Sequence, residues 1–230
     1  MKERDFVNRV LLVMNDIAKD NAELLGADTA QIDKYIVGSY IDAWKQCVNV
    51  MPRSWFENKT FSGHFSDKET FGNDYKFHYP NNPVRGVGFV EIPDDFYLLS
   101  MFQMKGWVQP VNDALAENAK TLSVQSNEYT RGSVIRPVCV IGIDEIKNKP
   151  KRVLKYYSLP NNLKDNEHVI ERAIYIPITK PITGSDEEEL NISQQVFEPL
   201  VYLSASNVYT LLEKYDIAKA LESKALSMFL

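Results

Sequence analysis

The sequence predicts an α+β protein: a helical bundle drawn from both chain ends, with a mostly antiparallel β-rich insertion between them. Three observations predict it. Apolar residues recur at helical spacing through residues 5–51, and the same 3.6-residue period returns from Pro199 to the last residues. Between these ends lie short runs rich in Val, Ile and aromatic residues, bounded by Pro, Gly and Asn as strands are. On this reading residues 1–51 and 193–230 form the bundle and 52–192 the insertion, all within one domain of 230 residues. A compact domain of this length buries roughly seven tenths of its unfolded surface, so no disulfide or metal staple is required.

The first helix is expected over residues 5–25, with Phe6, Val10, Val13, Met14, Ile17 and Leu24 on one face and Gly26 as its C-terminal cap. Asp28 and Gln31 resemble a capping box for a second helix. Its stripe of Ile32, Ile36, Tyr40, Ala43, Cys47 and Val50 runs to Met51, and Pro52 ends it. Two antiparallel helices joined at residues 26–28 therefore open the chain. Residues 52–84 carry no helical stripe but are dense in aromatics, and Tyr75, Phe77 and Tyr79 alternate with Lys76 and His78 as in a half-buried strand. Residues 84–92 read as a strand that Pro93 ends.

The chain is organised around residues 91–110. Asp94 or Asp95 is placed to cap a short helical turn carrying Phe96, Leu98, Leu99 and Phe102, and Gly106 then stops it. Trp107, Val108 and Val111 resume in extended form around Pro110. Residues 112–121 are helix-compatible, residues 127–132 have turn chemistry, and residues 134–143 read as a strand with Pro137 at an edge or bulge. Two further strands are expected over 153–159 and 173–178, separated by a polar turn at 160–168. Pro199 suits the first turn of a terminal helix whose apolar face includes Leu200, Leu203, Val208, Leu211, Tyr215, Ala218, Leu221 and Ala225. Unbroken, that helix would span roughly 40 Å. It ends on Met228, Phe229 and Leu230, which need an apolar place to lie.

Composition excludes several classes. Hydrophobic residues at 44% and charged residues at 25% are globular values and argue against disorder. No run of about eighteen apolar residues is present for a membrane span, and the charged N-terminus is unlike a signal peptide. A net charge of −5 argues against a free-standing nucleic-acid binder. Cys47 and Cys139 sit in apolar runs and read as buried thiols of a reducing compartment. The acidic run Asp186, Glu187, Glu188 and Glu189 reads as a solvated loop or helix start.

Positioned chemistry is sparse. His64 and His78, with Asp67, Glu69 and Asp74, lack the spacing of a metal motif, and His168 stands alone. Gly86 and Gly88 form half of a dinucleotide fingerprint without its third glycine or helix, and are better explained as strand glycines. Neither a Walker loop nor a nucleophile elbow occurs. Asp94, Asp95, Asp113, Asp144 and Glu145 remain as dispersed acids, each with a turn or cap explanation. Two sequons, at Asn58 and Asn191, mean nothing without secretion. No catalytic, cofactor-binding or metal residue is therefore assigned, and no cofactor.

Several segments together resemble the head-to-tail connector, or adaptor, proteins of tailed bacteriophages. They are the helix pair ending at Met51-Pro52, the step Ile92-Pro93-Asp94-Asp95-Phe96-Tyr97-Leu98-Leu99, and Phe197-Glu198-Pro199-Leu200-Val201-Tyr202-Leu203 before the terminal helix. Lys105-Gly106-Trp107-Val108-Gln109-Pro110-Val111, Tyr129-Thr130-Arg131-Gly132 and Arg136-Pro137-Val138-Cys139-Val140-Ile141 resemble the version carried by crAss-like phages of Bacteroides-type hosts. The segments at 52–84 and 161–171 have no counterpart in this resemblance.

The resemblance implies a structural virion protein and not an enzyme: a ring of about twelve copies beneath the portal, joining it to the tail and lining the DNA exit channel. Its partners would be itself, the portal and other neck or tail proteins. DNA would pass without sequence-specific binding, and an acidic lumen would let it slide. The protein would be made in the host cytoplasm and reside in the virion neck. The competing reading is a metal-dependent nuclease, or another phage enzyme, with a site built from the dispersed acids.

Overall fold

The structure, a computed structural model, describes residues 1–18, 29–61, 87–127, 129–146, 149–157 and 169–229. In chain order the elements are α1 (Glu3–Ala18), α2 (Thr29–Val50), β1 (Lys59–Thr60), β2 (Val87–Glu91), β3 (Phe96–Met104), β4 (Leu115–Ala116), α3 (Ala119–Ser126), β5 (Val138–Ile146), β6 (Lys149–Tyr157), β7 (Ile170–Pro177), α4 (Gln194–Leu211) and α5 (Tyr215–Leu226). The protein is α+β, and it divides into two compact units. One joins Met1–Glu57 to Ile178–Leu230; the other is Asn58–Pro177.

These boundaries differ from those read at residues 51/52 and 192/193, for visible reasons. Phe56 packs edge-on against Trp44, with ring centroids 6.0 Å apart, which keeps the turn after Pro52 with the helices. The segment before α4 pairs with the N-terminus: the Glu3 amide donates to the Glu188 carbonyl at 3.0 Å and the Leu190 amide to the Met1 carbonyl at 2.7 Å.

In the helical unit α4 is the hub, packing against α1, α2 and α5. Val196, Pro199, Leu200, Val201, Leu203, Ala205, Ser206, Val208 and Tyr209 are buried right around its circumference, as a central helix requires. α1 applies Phe6, Val10, Val13 and Met14 to it, and α2 contributes Ile36, Tyr40, Ala43 and Cys47. The expected cap at Gly26 and capping box at Asp28 lie outside the described residues.

Two expectations at the C-terminal end are corrected. Pro199 is the sixth residue of α4, because the helix starts upstream at Gln194. The single terminal helix is two, α4 and α5, broken at Glu213. Glu213 has φ 60, its amide donates to the Thr210 carbonyl at 3.1 Å, and the Lys214 amide donates to the Tyr209 carbonyl at 2.9 Å. This is a Schellman ending, with Glu where glycine is the usual residue. The apolar stripe continues past the break because α5 turns back onto the hub, burying Ala218, Leu221 and Ala225. Met228 is exposed and Phe229 half-buried.

The β unit has two sheets, in the orders β1-β7-β3 and β2-β6-β5-β4, antiparallel except for the short β4–β5 pair. Phe61, Phe96, Phe102, Trp107, Tyr156 and Tyr175 form its aromatic core together with Val90, Ile92, Leu99 and Leu154. The helical turn expected at 96–102 is strand β3. Register shifts against β7 between Phe96 and Leu98, and between Leu99 and Met101, each insert one extra residue. Phe96, Leu99 and Phe102 therefore all face inward at a spacing of three, which imitates a helix.

Other boundaries also move. The helix read at 112–121 begins only at Ala119, where the Asn118 side chain accepts from the Thr121 amide at 2.8 Å, and the residues before it form β4. Pro137 lies just before β5 instead of within it. The alternation at 75–79, the first part of the strand at 84–92 and the turn at 160–168 lie outside the described residues.

Candidate functional site

The carboxylates singled out in the sequence are built into structure. Asp95, at the corner between β2 and β3, receives Lys59 Nζ at 2.7 Å and the Tyr175 hydroxyl at 2.7 Å. The antiparallel register that sets Lys59 opposite Tyr175 puts both donors on this corner. The Lys59 ammonium, then the Tyr175 hydroxyl, hold the Asp95 carboxyl below its ordinary value. Asp95 is thereby a carboxylate with both oxygens engaged. Asp94 is its neighbour in the turn, and Asp113 accepts from the Ala114 amide at 3.0 Å. Asp144 and Glu145 lie on β5 opposite Lys151 and Pro150. Among the described residues no three His, Cys, Asp or Glu side chains gather as a metal site needs. His64, Asp67, Glu69, Asp74, His78 and His168 lie outside the described residues.

Two organised carboxylates were not foreseen. Glu3 is 4% exposed and accepts from the Thr183 amide at 2.7 Å, the Thr183 hydroxyl at 3.0 Å and the Gly184 amide at 3.0 Å. Burial pushes its pKa up, but these donors outweigh burial and hold it below the ordinary carboxylate value. Gly184, at φ 75, gives the loop the left-handed step that aims its amide at Glu3. The second is Glu117, which bonds Lys155 at 2.8 Å and the Ile143 amide at 3.2 Å. A Cβ on Gly142 would overlap the Glu117 carboxylate, so this glycine admits the acid to the strand. Neither acid has a sequence signal, because each partner lies 26 or more positions away.

The helical unit also carries a groove of about 560 Å³ between α1 and α5, across α4. Val13, Ile17, Ile217 and Leu221 give it an apolar floor. Its rim holds Asp16, Asp216, Arg9, which grips Glu198 through two 3.0 Å bonds, and Lys224, whose Nζ lies 4.6 Å from the Tyr202 ring centre. Such a lining suits an apolar side chain or small amphipathic molecule, and it holds no nucleophile with a positioned base. The repeat of Arg9, Val13, Asp16 and Ile17 on one helix face was readable in the sequence; the opposite wall, on α5, was hidden by the expectation of one unbroken helix.

Both cysteines are buried and free. Burial pushes the Cys47 thiol up to about 12 and Cys139 well above its ordinary value, so both are inert packing groups. No helix of the described residues is long and apolar enough to cross a membrane.

Fold and site together define an α+β protein whose helical unit is assembled from both chain ends and whose best-held acids serve as structural links. No protein-family model matches the chain, and no curated protein matches it.

Proposed function

We propose that the chain is a structural subunit of a tailed-phage neck, one of the copies forming the ring that joins portal to tail and lets DNA pass. The observation that carries this reading is the insertion architecture: a helical unit made by the two chain ends, interrupted by a β unit at the order of motifs the connector resemblance implies. The engagement of Asp95, Glu117 and Glu3 in fold-holding bonds supports a structural over a catalytic role. On this reading the protein acts in the virion neck, with further copies, the portal and other neck or tail proteins as partners.

Electron microscopy and native mass measurement of the purified full chain, alone and with its portal, test the proposal. Closed rings are the expected result, and DNA incubated with the protein in Mg²⁺ or Mn²⁺ stays intact. DNA cleavage that Asp94→Ala or Asp95→Ala abolishes would overturn the structural reading in favour of a metal-dependent nuclease.

A further inference from the structure

We infer that the surface formed by residues 127 and 129–136, with the adjoining turn at 107–109, is the one by which one copy docks onto the acidic run 186–189 of the next. The loop is held firmly. The Thr130 and Arg131 amides donate to the Asn127 carbonyl at 3.1 and 3.0 Å, and the Gly132 amide donates at 3.0 Å to Gln125, a polar side chain only 4% exposed. The Val108 amide donates to the Val134 carbonyl at 2.9 Å, and the Gln109 side-chain amide to the Ile135 carbonyl at 3.0 Å, so loop and turn form one surface.

What this built surface presents is apolar. Tyr129 is 95% exposed, Val108 70% and Ile135 63%. The same segments carry Lys105 and Arg136, both exposed, and Arg131, half-buried, against a single acid in the sequence, Glu128. A rigid Tyr with apolar neighbours and arginine is the composition of a protein contact, not of a solvated turn.

Charge complementarity points to the occupant. Asp186, Glu187, Glu188 and Glu189 are all exposed, yet their backbone is pinned through Glu188 to the Glu3 amide, with the exposed Met1 side chain beside it. The chain thus carries a basic, apolar surface on one unit and a fixed acidic one on the other. Two different surfaces that fit each other give a head-to-tail contact, the kind that closes rings. The inference rests on the ring reading and names the contact that reading requires.

Sedimentation velocity of the full chain, the Arg136→Glu variant, and the double variant Asp186→Lys with Glu188→Lys tests it. Wild type should associate, more weakly in high salt. Each variant alone should associate on the order of a hundredfold less tightly, because Arg136→Glu cancels the net charge of the basic segments and the double variant cancels that of the acidic run. An equimolar mixture of the two should recover in part, since the carboxylate introduced at position 136 then faces the ammonium groups introduced at 186 and 188. All side chains changed are exposed and should leave melting unaltered; were Arg136→Glu to melt early, Tyr129→Ala takes its place, with about tenfold weaker association expected. Association that the reversals do not weaken, or that mixing does not rescue, overturns this contact and leaves the ring reading standing. A wild type that is monomeric at every concentration, with or without portal, overturns both.

Discussion

At the scale of single residues, two side chains separate packing from charge. Phe96 is 3% exposed and stacks on Tyr175 with centroids 5.4 Å apart, while the Arg152 guanidinium lies 5.8 Å from its ring centre. Phe96→Ala removes the ring at the bulged start of β3 and should cost about 3–5 kcal/mol, measured by urea denaturation. Glu3 makes a different case. Its pKa is held below the ordinary 4.5, so its ionised form favours the folded state. That contribution is present above the unfolded value and is lost as pH falls through the lower folded one. Glu3→Gln should therefore destabilise the protein by about 1–3 kcal/mol at neutral pH, with a gap from wild type that narrows as the medium is acidified below that value. Melting temperatures of both proteins across the acid range check it; a pH-independent gap would mean that shape and not charge holds the loop.

At the scale of elements, local backbone conformation decided what apolar spacing left open. The break between α4 and α5 depends on Glu213, whose left-handed φ of 60 strains any residue with a Cβ. Glu213→Gly relieves that strain within the same Schellman bonds, and should raise stability by about 0.5–1 kcal/mol in thermal or chemical melts. A loss would show that the Glu213 side chain contributes more than its backbone costs. β3 teaches the same lesson from the other side. Its bulges turn an alternating strand into a pattern of threes, and along its far edge Phe102 pairs with Val111, bonded both ways at 2.8 Å. Neither bulge has a Gly or Pro to announce it, since Tyr97 and Ser100 are ordinary strand residues.

At the scale of the whole molecule, the two units have different relations to the chain. The helical unit needs both ends, whereas the β unit is continuous in sequence from Asn58 to Pro177. Lys59 pairs with Tyr175 across β1 and β7, so the two ends of the β unit start and finish about 5 Å apart. An inserted unit with adjoining ends and its own core is expected to fold alone. The fragment 58–177 should melt cooperatively and show β-type circular dichroism; a fragment that stays unfolded would show that its core depends on the helices. The helical unit rebuilt with a short linker between residues 57 and 178 should likewise retain the packing of α1, α2 and α5 on α4.

The sequence by itself determined the α+β class, the helices at both ends, most strands of the middle and the inert cysteines. Each of these follows from apolar periodicity and from Pro and Gly, which act over a few residues. The residues 96–102, the split between α4 and α5, and the limits of the two units were decided only in three dimensions. A bulge is defined by its partner strand, and a helix break at Glu213 by what α5 packs against. The buried Glu3 and the Glu117 lodged against Gly142 owe their places to partners 26 to 181 positions away, a distance at which neighbouring residues carry no trace of the pairing. The groove between α1 and α5 belongs with these, because one of its walls exists only once the chain has turned back at Glu213.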